Sequence, residues 1–149
     1  MHRTIVPDIV RDQRLTFAEE TTSVRDAVRM MVDNDVSAVM ICDRTGLRGI
    51  FTERDLARKV VAAGLDPDRV TLAAVMTENP DTLHPDDSPR RAIEKMRSRG
   101  YRHLPVVDGT KVVGMVSVRD LYSAALGEME EDLRELDSFV HGPGYGVSQ

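Results

Sequence analysis

The sequence predicts an α+β protein of two similar β-α-β-β-α units packed about a pseudo-twofold axis, with a further helix at the C-terminal end. Three observations predict it. The stretch Gly49-Ile50-Phe51-Thr52-Glu53-Arg54-Asp55-Leu56 returns 65 positions later as Gly114-Met115-Val116-Ser117-Val118-Arg119-Asp120-Leu121. The same offset holds upstream without a gap, at Ser23/Ser88, Arg25/Arg90, Ala27/Ala92, Met31/Met96, Asp43/Asp108 and Thr45/Thr110. Within each copy the apolar residues change between helical and strand patterns in the same order.

In the first copy, Thr16-Phe17-Ala18 is a short strand. Thr22 or Ser23 then caps a helix whose stripe is Val24, Ala27, Val28, Met31 and Val32. The apolar run Val36 to Cys42 reads as a buried strand, and Asp43-Arg44-Thr45-Gly46 as a turn. Leu47 to Phe51 is the next strand, and Thr52 to Ala63 the next helix. In the second copy, Asp87 or Ser88 caps a helix with Pro89 at its first position and Ala92, Ile93 and Met96 as its stripe. His103 to Val107 is the buried strand, Asp108-Gly109 a hairpin turn, Val112 to Val116 a strand and Ser117 to Leu126 a helix. A short apolar helix, Thr71 to Met76, leads into this copy, and Val6 to Arg11 is its counterpart before the first. The units therefore span residues 6–63 and 71–127, joined by a linker at 64–70 and followed by a helical extension and mobile tail at 128–149.

Neither unit is large enough to bury a core alone, so the two are expected to pack face to face on one shared core. The methionines fall mostly on apolar faces and are read as core. In the tail, Tyr122, Leu126, Met129, Leu133, Leu136 and Val140 alternate steps of four and three, a heptad stripe. It is too short to stand alone and should pack on the units or pair with a second subunit. His141-Gly142-Pro143-Gly144 ends it.

The 149 residues are 41% hydrophobic and 30% charged, the balance of a globular protein, and no apolar run approaches a membrane span. The net charge of −5 argues against nucleic acid as a partner. The N-terminal residues lack the long apolar stretch of a secretory signal. The single cysteine, Cys42, excludes an internal disulfide and a multi-cysteine zinc site, reads as a small core residue, and fits a reducing cytoplasm.

The chemistry concentrates in Thr52-Glu53-Arg54-Asp55 and Ser117-Val118-Arg119-Asp120. A hydroxyl followed three residues later by a carboxylate is a capping box, which needs no ligand. Capping does not call for an arginine, however, and the arginine recurs where its neighbour changes from Glu53 to Val118. A helix start after a strand favours anions, a guanidinium adds a fork for phosphate oxygens, and an aspartate suits sugar hydroxyls. Together they describe a receptor for a phosphorylated ribose.

On these residues the chain resembles a tandem pair of cystathionine-β-synthase (CBS) domains, a Bateman module. The signature Gly-apolar-apolar-Thr/Ser-x-x-Asp occurs twice, at Gly49…Asp55 and Gly114…Asp120, and His103-Leu104-Pro105-Val106-Val107-Asp108 matches the middle strand. The resemblance covers roughly residues 6–127. It implies two clefts for adenine nucleotides (AMP, ADP, ATP, in some members NAD or S-adenosylmethionine), bound as regulatory ligands with no cofactor required. Thr52, Arg54 and Asp55 would serve one cleft and Ser117, Arg119 and Asp120 the other. Ser37 and Ala38, with Arg102 and His103, start the middle strands and would line the clefts. Because Arg102 and His103 are the more cationic pair, the Ser117/Asp120 cleft is expected to hold polyphosphate more tightly. The resemblance also implies a homodimeric sensor whose downstream protein target is not written in the chain.

Two other readings compete with a nucleotide sensor. One is an interaction adaptor with empty clefts. The other is a nucleotide-processing enzyme, against which stands the lack of a nucleophile with a base, a Gly-rich phosphate loop or a metal-ligand cluster. His84 and His103 lie too far apart in sequence to suggest a metal site. His103 reads as a cleft-lining group and His84 as loop surface.

Overall fold

The computed structural model describes residues 2–141; the tail expected to be mobile, 142–149, lies outside them. A single turn, Ile5–Ile9, opens the chain; Val10 N closes it by donating to Ile5 O at 3.0 Å, while Val6 within it is extended. The first unit then runs β1 (Phe17–Ala18), α1 (Val24–Asp33), β2 (Ala38–Asp43), β3 (Gly46–Thr52) and α2 (Glu53–Asp55), which passes directly into a π-helical turn at Leu56–Val61. The second runs α3 (Leu72–Val75), β4 (Thr77–Glu78), α4 (Pro89–Arg99), β5 (His103–Asp108), β6 (Lys111–Ser117) and α5 (Val118–His141). Among the described residues no helix is long and apolar enough to cross a membrane.

The sequence repeat is a structural repeat to the residue. In the first sheet, ordered β1-β2-β3-β4, Ala38 pairs with Thr52 and a bulge falls between Ile41 and Cys42. In the second, β5 with β6, His103 pairs with Ser117 and the bulge falls between Val106 and Val107. The parallel pair Ala18↔Ile41 has its counterpart in the bridge Leu83↔Val106. Each main helix is capped by serine: Ser23 Oγ accepts from Asp26 N at 3.1 Å, and Ser88 Oγ accepts from Arg91 N at 3.2 Å. Thr22 and Asp87, the competing candidates, bond elsewhere: the Thr22 hydroxyl accepts from Glu19 N, and the Asp87 carboxylate from His84 N.

One shared core is not what forms. Two clusters do, because strand side chains alternate between faces. Val39, Ile41 and Phe51 join Val24, Ala27, Met31 and Val60 in the first. Leu104, Val106 and Val116 join Leu83, Ala92, Met96 and Leu121 in the second. The alternate residues of β2 and β3, Ala38, Met40 and Ile50, are buried outside both clusters. The helix stripes are also narrower than expected. Val32 is 73% exposed and Ile93 is 44% exposed, so only Val24, Ala27 and Met31, and Ala92 and Met96, are buried. Cys42 lies near the bulge and is half-buried, not core; burial and the neighbouring Asp43 raise its thiol pKa and keep it protonated.

The segments that lead into the units are exchanged. Ile5 and Val6 donate to the carbonyls of Asp87 and Pro85, at 2.8 and 3.0 Å, and Ile5 and Val10 belong to the second core. Leu72 and Ala73 donate to those of Thr22 and Glu20, at 2.9 and 3.0 Å, and Leu72, Val75 and Met76 belong to the first core. Each copy thus completes its neighbour. The same exchange explains the signature glycines. A Cβ on Gly49 would meet Met76 Sδ at 2.6 Å and the Thr77 carbonyl at 2.9 Å. One on Gly114 would meet Gln13 Oε1 at 3.0 Å. Where β4 pairs with β3, the equivalent edge of β6 is held by a side chain. Gln13 Oε1 accepts from Met115 N at 2.8 Å and its Nε2 donates to Met115 O at 2.9 Å.

The expected last helix of the second unit and the tail helix are one continuous element, α5, of 24 residues. Leu121 anchors its base, and from Ala125 to His141 every residue is exposed.

Candidate functional site

The two strand-to-helix junctions have the same local design. After β3, Thr52 N donates to Asp55 Oδ2 at 3.0 Å, and Asp55 N donates back to Thr52 Oγ1 at 3.2 Å. After β6, Ser117 N and Oγ donate to Asp120 Oδ2 at 2.8 and 3.0 Å, and Asp120 N donates to Ser117 Oγ at 3.1 Å. Aspartate, though shorter than glutamate, closes a capping box both times. The next N–H is taken as well, by Ser37 O for Glu53 and by Arg102 O for Val118, each at 3.0 Å. Each junction is therefore fastened to the entry of its own unit's middle strand.

A cavity of about 630 Å³ opens beside the first junction. Thr52, Glu53, Arg54 and Asp55 form one side, continued by Arg58 and Lys59, and the entry to β5 from the other unit forms the facing side, with Tyr101, Arg102 and His103. Ser37, Ile50 and Pro80 also line it. This volume lies within the range typical of small-molecule sites.

Its charges are not equivalent. Lys59 Nζ is tied to Asp55 Oδ1 at 3.3 Å, to Val75 O at 3.1 Å and to Thr77 Oγ1 at 3.3 Å. Arg99 pairs with Asp81 at 3.6 Å. Arg54, Arg58 and Arg102 have no carboxylate partner among the described residues. They leave the cavity an excess of positive charge that suits an anion.

His103 stands where the two units meet. Its Nε2 is 2.8 Å from Ser37 Oγ of the other unit. Burial pushes its pKa down, which favours neutral imidazole, while the carboxylates Asp120 and Glu53 pull it up, Arg102 lowers it and Asp55 raises it. Carboxylates of both junctions thus act on one ring.

Of the residues expected to bind, Ser37, Thr52, Arg54, Asp55, Arg102 and His103 line this one cavity. Ala38 is fully buried and does not line it; its backbone pairs with Thr52. Ser117, Arg119 and Asp120 do not line it either. Arg102 and His103, expected beside Ser117 and Asp120, line this cavity together with Thr52. Arg58, Lys59, Tyr101 and Arg99 also line the cavity, and no motif in the sequence points to them as a group. Lys59 alone carries a signal, since it lies four residues after Asp55 on one helical face. Among the described residues no group of three potential metal ligands comes together.

Comparison with known proteins gives a consistent result. The CBS domain family model matches residues 6–62 and 72–127. Over 126 residues, 82% of its length, the chain is 36% identical to CBS domain-containing protein CBSCBSPB2 of Arabidopsis thaliana, of which it spans 24%. Among solved structures it resembles the CBS domain protein PAE2072 from Pyrobaculum aerophilum complexed with AMP, with a TM-score of 0.69 and 27% identity over 76% of this chain and 87% of that one. It also resembles the CBS domain pair of protein MJ0100 in complex with 5′-methylthioadenosine and S-adenosyl-L-methionine, with a TM-score of 0.72 and 26% identity over 81% of this chain and 95% of that one.

Proposed function

The chain belongs to the CBS domain family, and on that premise we propose that it is a regulatory module whose Thr52–Asp55 cavity binds an adenine nucleotide. The observation that carries this reading is the pairing of one junction's hydroxyl and carboxylate with three arginines, Arg54, Arg58 and Arg102, that have no carboxylate partner among the described residues, around one cavity. The guanidiniums take phosphate oxygens, Asp55 accepts from ribose hydroxyls, and Ile50, Pro80 and Tyr101 offer the base an apolar border. The adenosine compounds named for PAE2072 and MJ0100 support this ligand class.

Binding, not chemistry, is the role these groups suit: the cavity offers cations and acceptors without an activated nucleophile. A ligand here touches both units, so it favours whichever arrangement of the two brings Arg102 and Asp55 to matching distances. The signal is the ligand's differential affinity for those arrangements.

Thermal unfolding of the full chain with AMP, ADP, ATP, NAD and S-adenosylmethionine tests the proposal. At least one should raise the midpoint, and Asp55→Ala should reduce that rise, because a ligand specific for the folded state must stabilise it. No rise with any of the five at millimolar concentration would favour the adaptor reading instead.

A further inference from the structure

We infer that the apolar seam of α5, from Leu126 to Val140, is a docking surface for a basic amphipathic helix of another protein. Leu126, Met129, Leu133, Leu136 and Val140 follow heptad spacing and are 43%, 61%, 63%, 60% and 47% exposed. An apolar stripe on a helix that leaves the body of the protein has only tertiary or quaternary packing to stabilise it.

Charge identifies the occupant. With Leu126, Leu133 and Val140 at heptad position a, and Met129 and Leu136 at d, the flanking e positions are Glu130 and Asp137, and the g position between them is Asp132. Residues 128–141 hold six acids against Arg134, a net −5, which equals the net charge of the whole chain. The rest of the protein is therefore balanced, and the excess negative charge lies along this helix.

A second copy is a poor match for that surface. A parallel pair would place Asp132 opposite the mate's Asp137, and an antiparallel pair would place Glu130 opposite Asp137. Like charges at these positions oppose pairing. Lysines or arginines flanking an apolar seam would complement Glu130, Asp132 and Asp137 in either direction. The acidic flanks equally disfavour an anionic lipid surface.

The test titrates the full chain with two synthetic three-heptad peptides, both with leucine at a and d. One carries lysine at e and g and the other glutamate, and binding is followed by fluorescence anisotropy at low and high salt. The lysine peptide should bind about tenfold or more tightly than the glutamate peptide, with the margin shrinking at high salt. Leu133→Asp combined with Leu136→Asp should abolish binding, while the melting curve stays cooperative with an unchanged midpoint. Three results would overturn the inference: equal affinity for the two peptides, no binding of the lysine peptide, or sedimentation showing that the double substitution dissociates a dimer of this chain.

Discussion

Asp55 and Asp120 hold their backbones through near-identical bonds, yet only Asp55 borders the cavity lined by Arg54, Arg58 and Arg102. The duplicated hydroxyl and carboxylate were legible in the sequence because both recur at one offset. The direction of Arg102 was not. An offset says to which copy a residue belongs, not which cavity its side chain lines. Arg102→Ala should therefore weaken ATP by about tenfold, as expected for one lost charged hydrogen bond, and AMP by less. Calorimetry with both ligands checks this, and an equal loss for the two would show that Arg102 does not meet the outer phosphates. His103 gives a pH dependence. Its folded pKa lies below the ordinary value of 6.5, so the unfolded chain takes up this proton more readily. Its contribution to stability is full above about pH 6.5 and is lost as the pH falls from there toward the lower folded value. Thermal melts from about pH 7 to about pH 5 should show a steeper loss for the native chain than for His103→Asn.

At the scale of elements, turn and strand chemistry read well, since the hairpins and the strands follow the apolar and turn pattern; each serine cap was one of two candidates that the spacing alone did not separate. Stripe width did not read well. Val32 and Ile93 continue the helical spacing, but the neighbouring elements cover only the central row of each helix. The signature glycines were legible as a motif without their cause, because the chain that crowds them comes from a distant segment. Their two surroundings lead to unequal expectations. Gly49→Ala meets the Thr77 carbonyl at 2.9 Å, which belongs to a paired strand and cannot step aside. Gly114→Ala meets the far end of Gln13 at 3.0 Å and a Val10 methyl at 3.3 Å, both able to shift. Urea unfolding should give about 1–3 kcal/mol destabilisation for Gly49→Ala and a smaller loss for Gly114→Ala. The reverse order would mean that the Gln13 clamp is stiffer than strand β4.

For the whole molecule, the repeat predicted twofold likeness correctly but not how the parts are shared. Sequence similarity identifies equivalent pieces; it does not say which copy each piece packs against. Val6 to Arg11 and Thr71 to Met76 are counterparts in the repeat, and chain order alone assigns each to the unit that follows it. In the fold the assignment is crossed: Ile5 fills the second core and Leu72 the first. Ile5→Ala should cost about 2–5 kcal/mol, as for other fully buried aliphatic side chains. Hydrogen exchange should then show protection falling first in α4, β5 and β6, with β2 and β3 retaining theirs. Early loss in β2 and β3 would show that the two clusters open as a single unit.

That trade of short arms separates the unit of inheritance from the unit of folding. A gene fragment cut at the boundary between the copies would encode a body missing one wall and carrying a wall made for its twin. Two such fragments expressed together should find each other and reconstitute the molecule, whereas either one alone would expose a strip of its interior to water.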